Sequence, residues 1–468
     1  MKITRLTPDS NGLVDWPILS SHKRAVMTIG VFDGMHKGHQ AVVRRVVELA
    51  KQTGSLAVVM ILDPRPALAH TYANEHDGMD LPADYVDTQA LSSVEQRARI
   101  MRELGVDRVI VLHYTMAFAA KSFRFFLGQM VGKLGMRTLV LGQDAALGAN
   151  RKGDIKAIQE LCEATRVFEL DVVNDLGPGY TWVPSHFEPK MPEGIGEPQD
   201  PREAMNKAEL RAWTKKNNCR KVRVWSSSNV RYLLSQGCVK AVAEILGRDH
   251  AVEGAVVHGE QRGREIGFPT ANLSQVVEGY VPVDGVYAGW LVDLGPIDGA
   301  KSSGNNIGDA GHGKTGNGVN GTENSGSAAN GGNAGNAGNG TNNMVNGGSA
   351  GGGNGGKPAG ENRTANGVEA ANLASPSDEM RMAPGSPWRW PAAISIGTKP
   401  TYSDETGLNE RVIEPYCVTK DWLELYDHKV RVEFTQFLRG QVKFDGTDEL
   451  KAALQDYAEQ TLEITGAQ

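Results

Sequence analysis

Between Ala25 and about Asp171, short β-rich apolar runs alternate with stretches of helical periodicity, and this alternation restricts the fold more than any other feature. AVMTIGVF leads into HQAVVRRVVELAKQTG, LAVVMIL into SVEQRARIMRELG, and VDRVIVLHY is followed in turn by MRTLVLG. Continuous apolar strands separated by amphipathic helices fold as a parallel sheet covered by helices. In the first helix Val42, Val43, Val46, Val47 and Ala50 form one apolar side, and Gly54 is placed to end it.

From Ala251 the rhythm changes to period-2 strands with frequent glycine: HAVEGAVVHG, DGVYAGWLVDL, AAISIGT, RVIEPYCV and KVRVEFTQFL. That pattern predicts a small antiparallel β-barrel. TDELKAALQDYAEQTLEI, with Thr447 as N-cap and Leu450, Leu454 and Tyr457 at helical spacing, predicts a C-terminal helix packed on it. The expected organisation is an α/β domain over 1–248 and a β domain over 249–468. Residues 175–215 are rich in Pro, Gly and charge and read as a surface excursion with one helix. After them, RKVRVWSSSNVRYLLSQG predicts strand, polar turn and helix, and VKAVAEILG a second short helix.

Residues 299–388, nearly all Gly, Asn, Ala and Ser at their centre, carry too little apolar surface to offset the entropy of ordering. They read as a disordered insertion. Loop-closure cost grows only logarithmically, so such a segment is tolerated where its two ends stay close. DGVYAGWLVDL and AAISIGT are therefore expected to be hairpin neighbours.

A net charge of −6 argues against a nucleic-acid partner, and the basic run at 211–225 reads as an exposed face. Cys162, Cys219, Cys238 and Cys417 form no CxxC pair, which predicts neither zinc nor disulfides and fits a reducing cytoplasm. MKITRLTPDSNGLVDW lacks a signal-peptide core, and no stretch could span a bilayer. A cytoplasmic protein without membrane contact is expected. An oligomer remains open.

Two constellations carry chemistry. In TIGVFDGMHKGHQ, Gly30, Gly34 and Gly38 let backbone approach a ligand closely. The helix starting near His39 aims unpaired N–H groups at the same place, so the turn suits an anion. His36 and His39 can both donate to that anion as a phosphoanhydride breaks. Downstream, Ser226, Ser227, Ser228 and Arg231 gather hydroxyls and a guanidinium at a strand-to-helix turn, although serines there also serve simply as caps. In GEQRGREIGFPTANL, Gly263 and Gly267 allow tight turns and Phe268–Pro269 is rigid. Thr270 and Asn272 offer oxygen ligands for Mg2+.

GVFDGMHKGH resembles the (G)xFDGxHxGH element of nucleotidyltransferases, and its Phe32-Asp33-Gly34 resembles the prokaryotic FAD synthetases. SSSNVR resembles the element that closes over ATP phosphates in the same superfamily. PTAN in its glycine context resembles the riboflavin kinases. In this order the two look like the bifunctional riboflavin kinase/FAD synthetase family of bacteria.

The resemblance implies a Rossmann-like nucleotidyltransferase domain followed by a riboflavin kinase-like barrel, using ATP and Mg2+ to convert riboflavin to FMN and FMN to FAD. It implies that His36 and His39 are catalytic for adenylylation, with Gly30, Phe32, Asp33, Gly34, Gly38, Asp144, Ser226, Ser227, Ser228 and Arg231 around the nucleotide. For the kinase it implies Glu414 of RVIEPY as the base, with Gly263, Gly267, Pro269, Thr270, Asn272 and Arg439 binding substrates, and Thr270 and Asn272 on the metal.

Two elements depart from the family pattern. FDPHP appears as LDPRP, with Leu62 and Arg65, and GxDFRFG appears as GQDAALG, with Ala145, Ala146 and Leu147 in place of Phe, Arg and Phe. Losing two rings and a guanidinium predicts weakened FMN adenylylation with ATP binding retained. A kinase without adenylylation, or a non-catalytic flavin-binding regulator, are the other readings.

Overall fold

The computed structural model describes residues 1–174, 176–258, 268–297, 376–398 and 411–467. Gly263, Gly267, the KPTY stretch and residues 298–375 lie outside the described residues.

The N-terminal half contains strands β1 (Lys2–Leu6), β2 (Ala25–Gly30), β3 (Leu56–Asp63), β4 (Arg108–His113), β5 (Met136–Gly142), the short pair β6 (Ala146–Leu147) and β7 (Gly153–Asp154), and β8 (Glu169–Val173). Its helices are α1 (Lys37–Thr53), α2 (Pro66–Glu75), α3 (Val94–Glu103), α4 (Met116–Ala119), α5 (Phe123–Lys133) and α6 (Ile155–Thr165). Six strands form a parallel sheet in the order β1-β4-β3-β2-β5-β8. Residues from Ala57 to Ile61 are fully buried, as expected of a strand covered on both faces. From β2 the sheet grows one way through β3 and the other through β5, so the crevice beyond β2 and β5 is a topological switch point. The GVFDGMHKGH turn lies there. Helix α1 buries Val43, Val46, Val47 and Ala50 and stops at Gly54, whose φ of 65° only glycine adopts without strain.

The stretch expected as an irregular excursion holds more structure than its composition suggests. It contributes β9 (Tyr180–Val183), which pairs antiparallel with β10 (Arg220–Arg223), and α7 (Lys207–Lys216) lies between them. Helices α8 (Ser227–Ser235) and α9 (Val239–Leu246) follow. Expected to close the first domain, they place Leu233, Leu234 and Val242 in one core with Tyr287 and Phe434 of the barrel.

The C-terminal half comprises β11 (His250–Val257), β12 (Asn272–Leu273), β13 (Gly285–Pro296), α10 (Asp378–Met382), β14 (Arg389–Thr398), β15 (Arg411–Cys417), β16 (His428–Arg439) and α11 (Thr447–Thr465). Strand order is β12-β11-β16-β13-β14-β15. A bridge between Thr270 and Tyr416, with the Ala271 N–H donating to Pro415 O at 2.9 Å, brings the two ends together into a nearly closed barrel. β13 and β14 pair from Gly285 opposite Ile396 to Val292 opposite Arg389, the hairpin expected on either side of the insertion.

Two expectations are corrected. Disorder was expected through 388, yet α10 lies within that range, and its Arg381 is buried with Nη1 3.1 Å from Asp293 of β13 and its guanidinium over Trp388. A buried ion pair and a cation–π contact supply order that composition does not reveal. Thr447 does not cap α11: Gly446 is the N-cap, and Glu449 instead accepts the Asp445 N–H at 3.1 Å. The helix still packs Tyr457 and Leu454 against Val286, Ala288 and Leu438.

The two halves meet through charge. Glu253 of β11, fully buried, receives Arg99 of α3 at 2.6 Å and Arg431 of β16 at 3.2 Å. Arg99 also reaches Asp378 at 3.3 Å, and Arg102 reaches Glu379 at 2.5 Å, so α10 braces the same junction.

Candidate active sites

The turn after β2 winds tightly. Phe32, Gly34 and Met35 all have positive φ, and this geometry swings His36 to the N-cap of α1. The His36 Nδ1 accepts the His39 N–H at 3.3 Å, which places its own proton on Nε2. The two rings stack with centroids 3.6 Å apart, and Phe32 meets His39 edge-on at 5.4 Å. Both line a cavity of about 570 Å³, within the range of nucleotide-sized sites.

Burial, then Arg248 and Arg223, pushes the His36 imidazole down to about 3 from its ordinary 6.5. Burial, His36 and Arg97 hold His39 well below its usual value. Both shifts favour the neutral rings at physiological pH, and a neutral imidazole meets an anion as an N–H donor. A polyphosphate beside them would reverse the balance by supplying the missing counter-charge.

Of the residues expected here, Gly30, Phe32, His36, Gly38, His39, Asp144, Ser226, Ser227 and Ser228 line the cavity. The three serines divide their work. Ser226 accepts the Asn229 N–H at 3.3 Å, the plain capping role. Ser227 donates to Asp33 O at 2.9 Å, tying α8 to the motif turn, and Ser228 accepts from Arg220 at 2.8 Å.

Asp33, Gly34 and Arg231 do not reach the cavity wall. Asp33 is buried, accepts the Leu91 N–H at 2.9 Å and is ion-paired with Arg231, whose Nε donates to Gln89 O. That pair locks the turn to α8 from behind. Arg231, expected at the ATP phosphates, is engaged internally in this structure, where a nearby buried carboxylate holds its guanidinium.

Residues that sequence reasoning passed over also line the cavity: Lys221, Arg223, Trp225, Tyr180 and Asn174. Lys221 and Arg223 belong to the basic run read as a solvated face. Their period-2 spacing on a strand was the available signal, since it puts both on one side of β10. Of the departures, Arg65 is held by Asp87 through contacts of 2.5 and 2.6 Å, and Ala145 packs beside the core of the sheet while lining the cavity.

The barrel site forms at the closing seam. Thr270 lies two residues before Asn272, which opens β12, and the Asn272 Nδ2 donates to Thr270 O at 3.4 Å. Thr270 bridges Tyr416, and the Phe268 ring meets Tyr416 at a tilt of 60° with centroids 5.1 Å apart. Glu414 lies two residues before Tyr416 on β15, opposite Ser395 of β14. In β15 Ile413, Pro415 and Cys417 are buried while Val412, Glu414 and Tyr416 are half-exposed, so the carboxylate is on the outward alternation with Tyr416. Pro269 is exposed in the approach to the seam. Arg439 ends β16 opposite Val286, and its buried Nε has no hydrogen-bond partner among the described residues. No cluster of three His, Cys, Asp or Glu suited to a metal occurs among the described residues. The hydroxyl of Thr270 and the amide oxygen of Asn272 are hard donors of the kind Mg2+ takes alongside water and phosphate. No described helix is long and apolar enough to cross a membrane.

A family model described as FAD synthetase matches residues 18–186, and one described as riboflavin kinase matches residues 246–465. A bifunctional riboflavin kinase/FMN adenylyltransferase from Pseudomonas fluorescens is 31% identical over 267 residues, 57% of this chain and 68% of that protein. Those from Listeria monocytogenes and Escherichia coli K12 are 26% and 28% identical, over 56% and 60% of this chain and 66% and 72% of theirs. The chain thus spans about two thirds of the length of these relatives. A crystal structure described as that of a macrolide-efflux protein from Streptococcus pneumoniae aligns with a TM-score of 0.56 at 18% identity, covering 98% of each chain, a likeness of fold alone. With both domains matched in the order its two constellations run, the chain belongs to the bifunctional riboflavin kinase/FMN adenylyltransferase family.

Proposed function

We propose that the chain phosphorylates riboflavin to FMN at the barrel seam and adenylylates FMN to FAD in the cavity beyond β2. The observation that carries this reading is the pair of stacked imidazoles facing a cavity at the N-terminus of α1. In adenylylation an FMN phosphate oxygen bonds to the α-phosphorus of ATP, the bond to the β-phosphate oxygen breaks, and pyrophosphate leaves. The first-turn amides of α1, the Nε2–H of His36 and the cations of Lys221 and Arg223 surround the place where that charge moves. In phosphorylation the ribityl 5′-hydroxyl attacks the γ-phosphorus and ADP leaves. Glu414 orients the hydroxyl and takes its proton. Thr270 and Asn272 would hold Mg2+, which when bound neutralises phosphate charge.

A kinase without adenylylation is favoured by one observation. Ala145, Ala146 and Leu147 present no ring or guanidinium to a flavin. Purified protein incubated with riboflavin, ATP and Mg2+, with flavins resolved by chromatography, decides. FMN and FAD together support the two-site reading, FMN alone the kinase, and unchanged riboflavin a regulator.

A further inference from the structure

Arg248 stands two residues before His250 opens β11, where the parallel-sheet half gives way to the barrel. Its Nη2 donates to Gly34 O at 2.8 Å, and its Nη1 to Met35 O at 3.4 Å and Leu246 O at 3.3 Å. Gln40 of α1 donates from Nε2 to the same Met35 and Leu246 carbonyls, each at 2.8 Å. The turn presenting His36 is therefore gripped from behind by one guanidinium and one amide.

Two further observations say this grip is more than packing. Among the described residues Arg248 forms no ion pair with a carboxylate, so its half-buried charge is met by peptide carbonyls. A second cavity of about 180 Å³, lined by Gly34, Arg248, His250 and Arg431 among others, lies alongside. Hydrogen bonds, rather than close packing on every side, fix the guanidinium. A trans peptide points its C=O and N–H in opposite directions, so anchoring Met35 O behind the turn aims the His36 N–H the other way. The same charge disfavours protonation of the His36 ring.

We propose that Arg248 is a positioning residue for the nucleotide cavity: the residue leading into the barrel sets the turn that presents His36 and Gly38, so adenylylation depends on the docked barrel strand. The proposal rests on reading that cavity as the adenylylation site.

Arg248→Gln and Arg248→Lys test it in the full-length protein. For FAD formation from supplied FMN, Arg248→Gln is expected to raise the KM for ATP roughly tenfold, the loss of one or two charge-assisted hydrogen bonds, with a smaller change in kcat. Riboflavin phosphorylation in the same preparation stays within about twofold, and Arg248→Lys falls between. Gln40→Ala added to Arg248→Gln costs less than the product of the two single effects, because both side chains hold the same carbonyls. An unchanged KM for ATP, or equal loss of both reactions, overturns the proposal. Should the wild type make no FAD, the reading of the cavity as an adenylylation site fails, and the pH titration of the His36 ring protons by NMR decides on Arg248 alone. An upward shift in Arg248→Gln but not in Arg248→Lys supports the grip; identical titrations in all three proteins refute it.

Discussion

His36 and His39 meet on one turn, three residues apart, whereas Thr270 finds Tyr416, two residues beyond Glu414, only after the chain has traversed β13, the inserted segment and β14. The first site is assembled by local backbone geometry: three positive φ values and a helix start. The second is assembled by strand register, since β15 faces Thr270 only while β13, β14 and β15 pair as they do. Local assembly brings the two imidazoles together within one turn, and the rest of the chain reaches that site through the contacts that brace the turn, among them those from Ser227, Arg231 and Arg248. Assembly by register makes the second depend on the hairpin that bears the insertion.

The largest expected effects test whether the two sites are separable. His39→Ala should lower FAD formation from FMN at least about a hundredfold, the scale for losing a donor to a developing oxyanion, while FMN formation from riboflavin persists. Glu414→Ala should do the reverse, slowing phosphorylation roughly 10² to 10⁴-fold with FAD formation from supplied FMN intact. Both are read from initial rates of each flavin product. Loss of both reactions in either variant would break the comparison.

Next in size is the junction. Burial alone would raise the Glu253 carboxyl, but Arg99, Arg431 and Lys429 outweigh it and hold its pKa below the usual range. Glu253→Ala leaves Arg99 and Arg431 without their shared partner and should cost roughly 3 to 5 kcal/mol, measured by denaturant unfolding. If the loss falls on both reactions alike while His39→Ala and Glu414→Ala remain selective, the halves are chemically separate but share their stability.

The same contrast shows in what the sequence disclosed. The α1 stripe, the glycine stop and the histidine turn were legible because each depends on neighbours within one or two helical turns. Strand β9 was not, since four residues without a clear alternation become a strand only by pairing with β10. Nor was α10, whose order depends on Arg381 finding Asp293 across the inserted segment. The positions of Lys221 and Arg223 on the cavity wall were hidden because a basic run reads identically on a solvated face and on a cavity wall. Asp33 and Arg231 were each recognisable as motif members, but nothing in either motif signalled that they pair with one another.

A smaller effect follows from the neutral histidines. The folded pKa of His36 is about 3 and that of His250, buried and with its Nε2 2.7 Å from Tyr280 O, about 4, both below the ordinary 6.5. Between those values the unfolded chain binds more protons than the folded one. Stability is therefore complete above about 6.5 and falls as pH drops toward 3 to 4. Unfolding midpoints measured from pH 7 to 4 should decline, and less steeply in His250→Gln, once compared with its own midpoint at pH 7. His250 stands in the barrel and His36 in the sheet. Equal flattening by substitutions at each would show that both halves share one acid-sensitive transition.

Gly38→Ala gives the smallest and most local test. A Cβ at position 38 would lie 3.1 Å from His36 Nδ1 and 3.2 Å from its Cε1, close enough that the ring must shift by a few tenths of an ångström. Alanine is otherwise favoured over glycine within a helix by roughly 1 kcal/mol, so thermal stability should hold or rise slightly. The methyl group enters the cavity wall beside the stacked rings, where phosphate would approach the α1 amides. The KM for ATP in FAD formation should rise several-fold while riboflavin phosphorylation is untouched. A stabilised protein with unimpaired FAD formation would mean that close backbone approach at Gly38 is dispensable, and that the stacked imidazoles hold their position through contacts other than the space glycine leaves them.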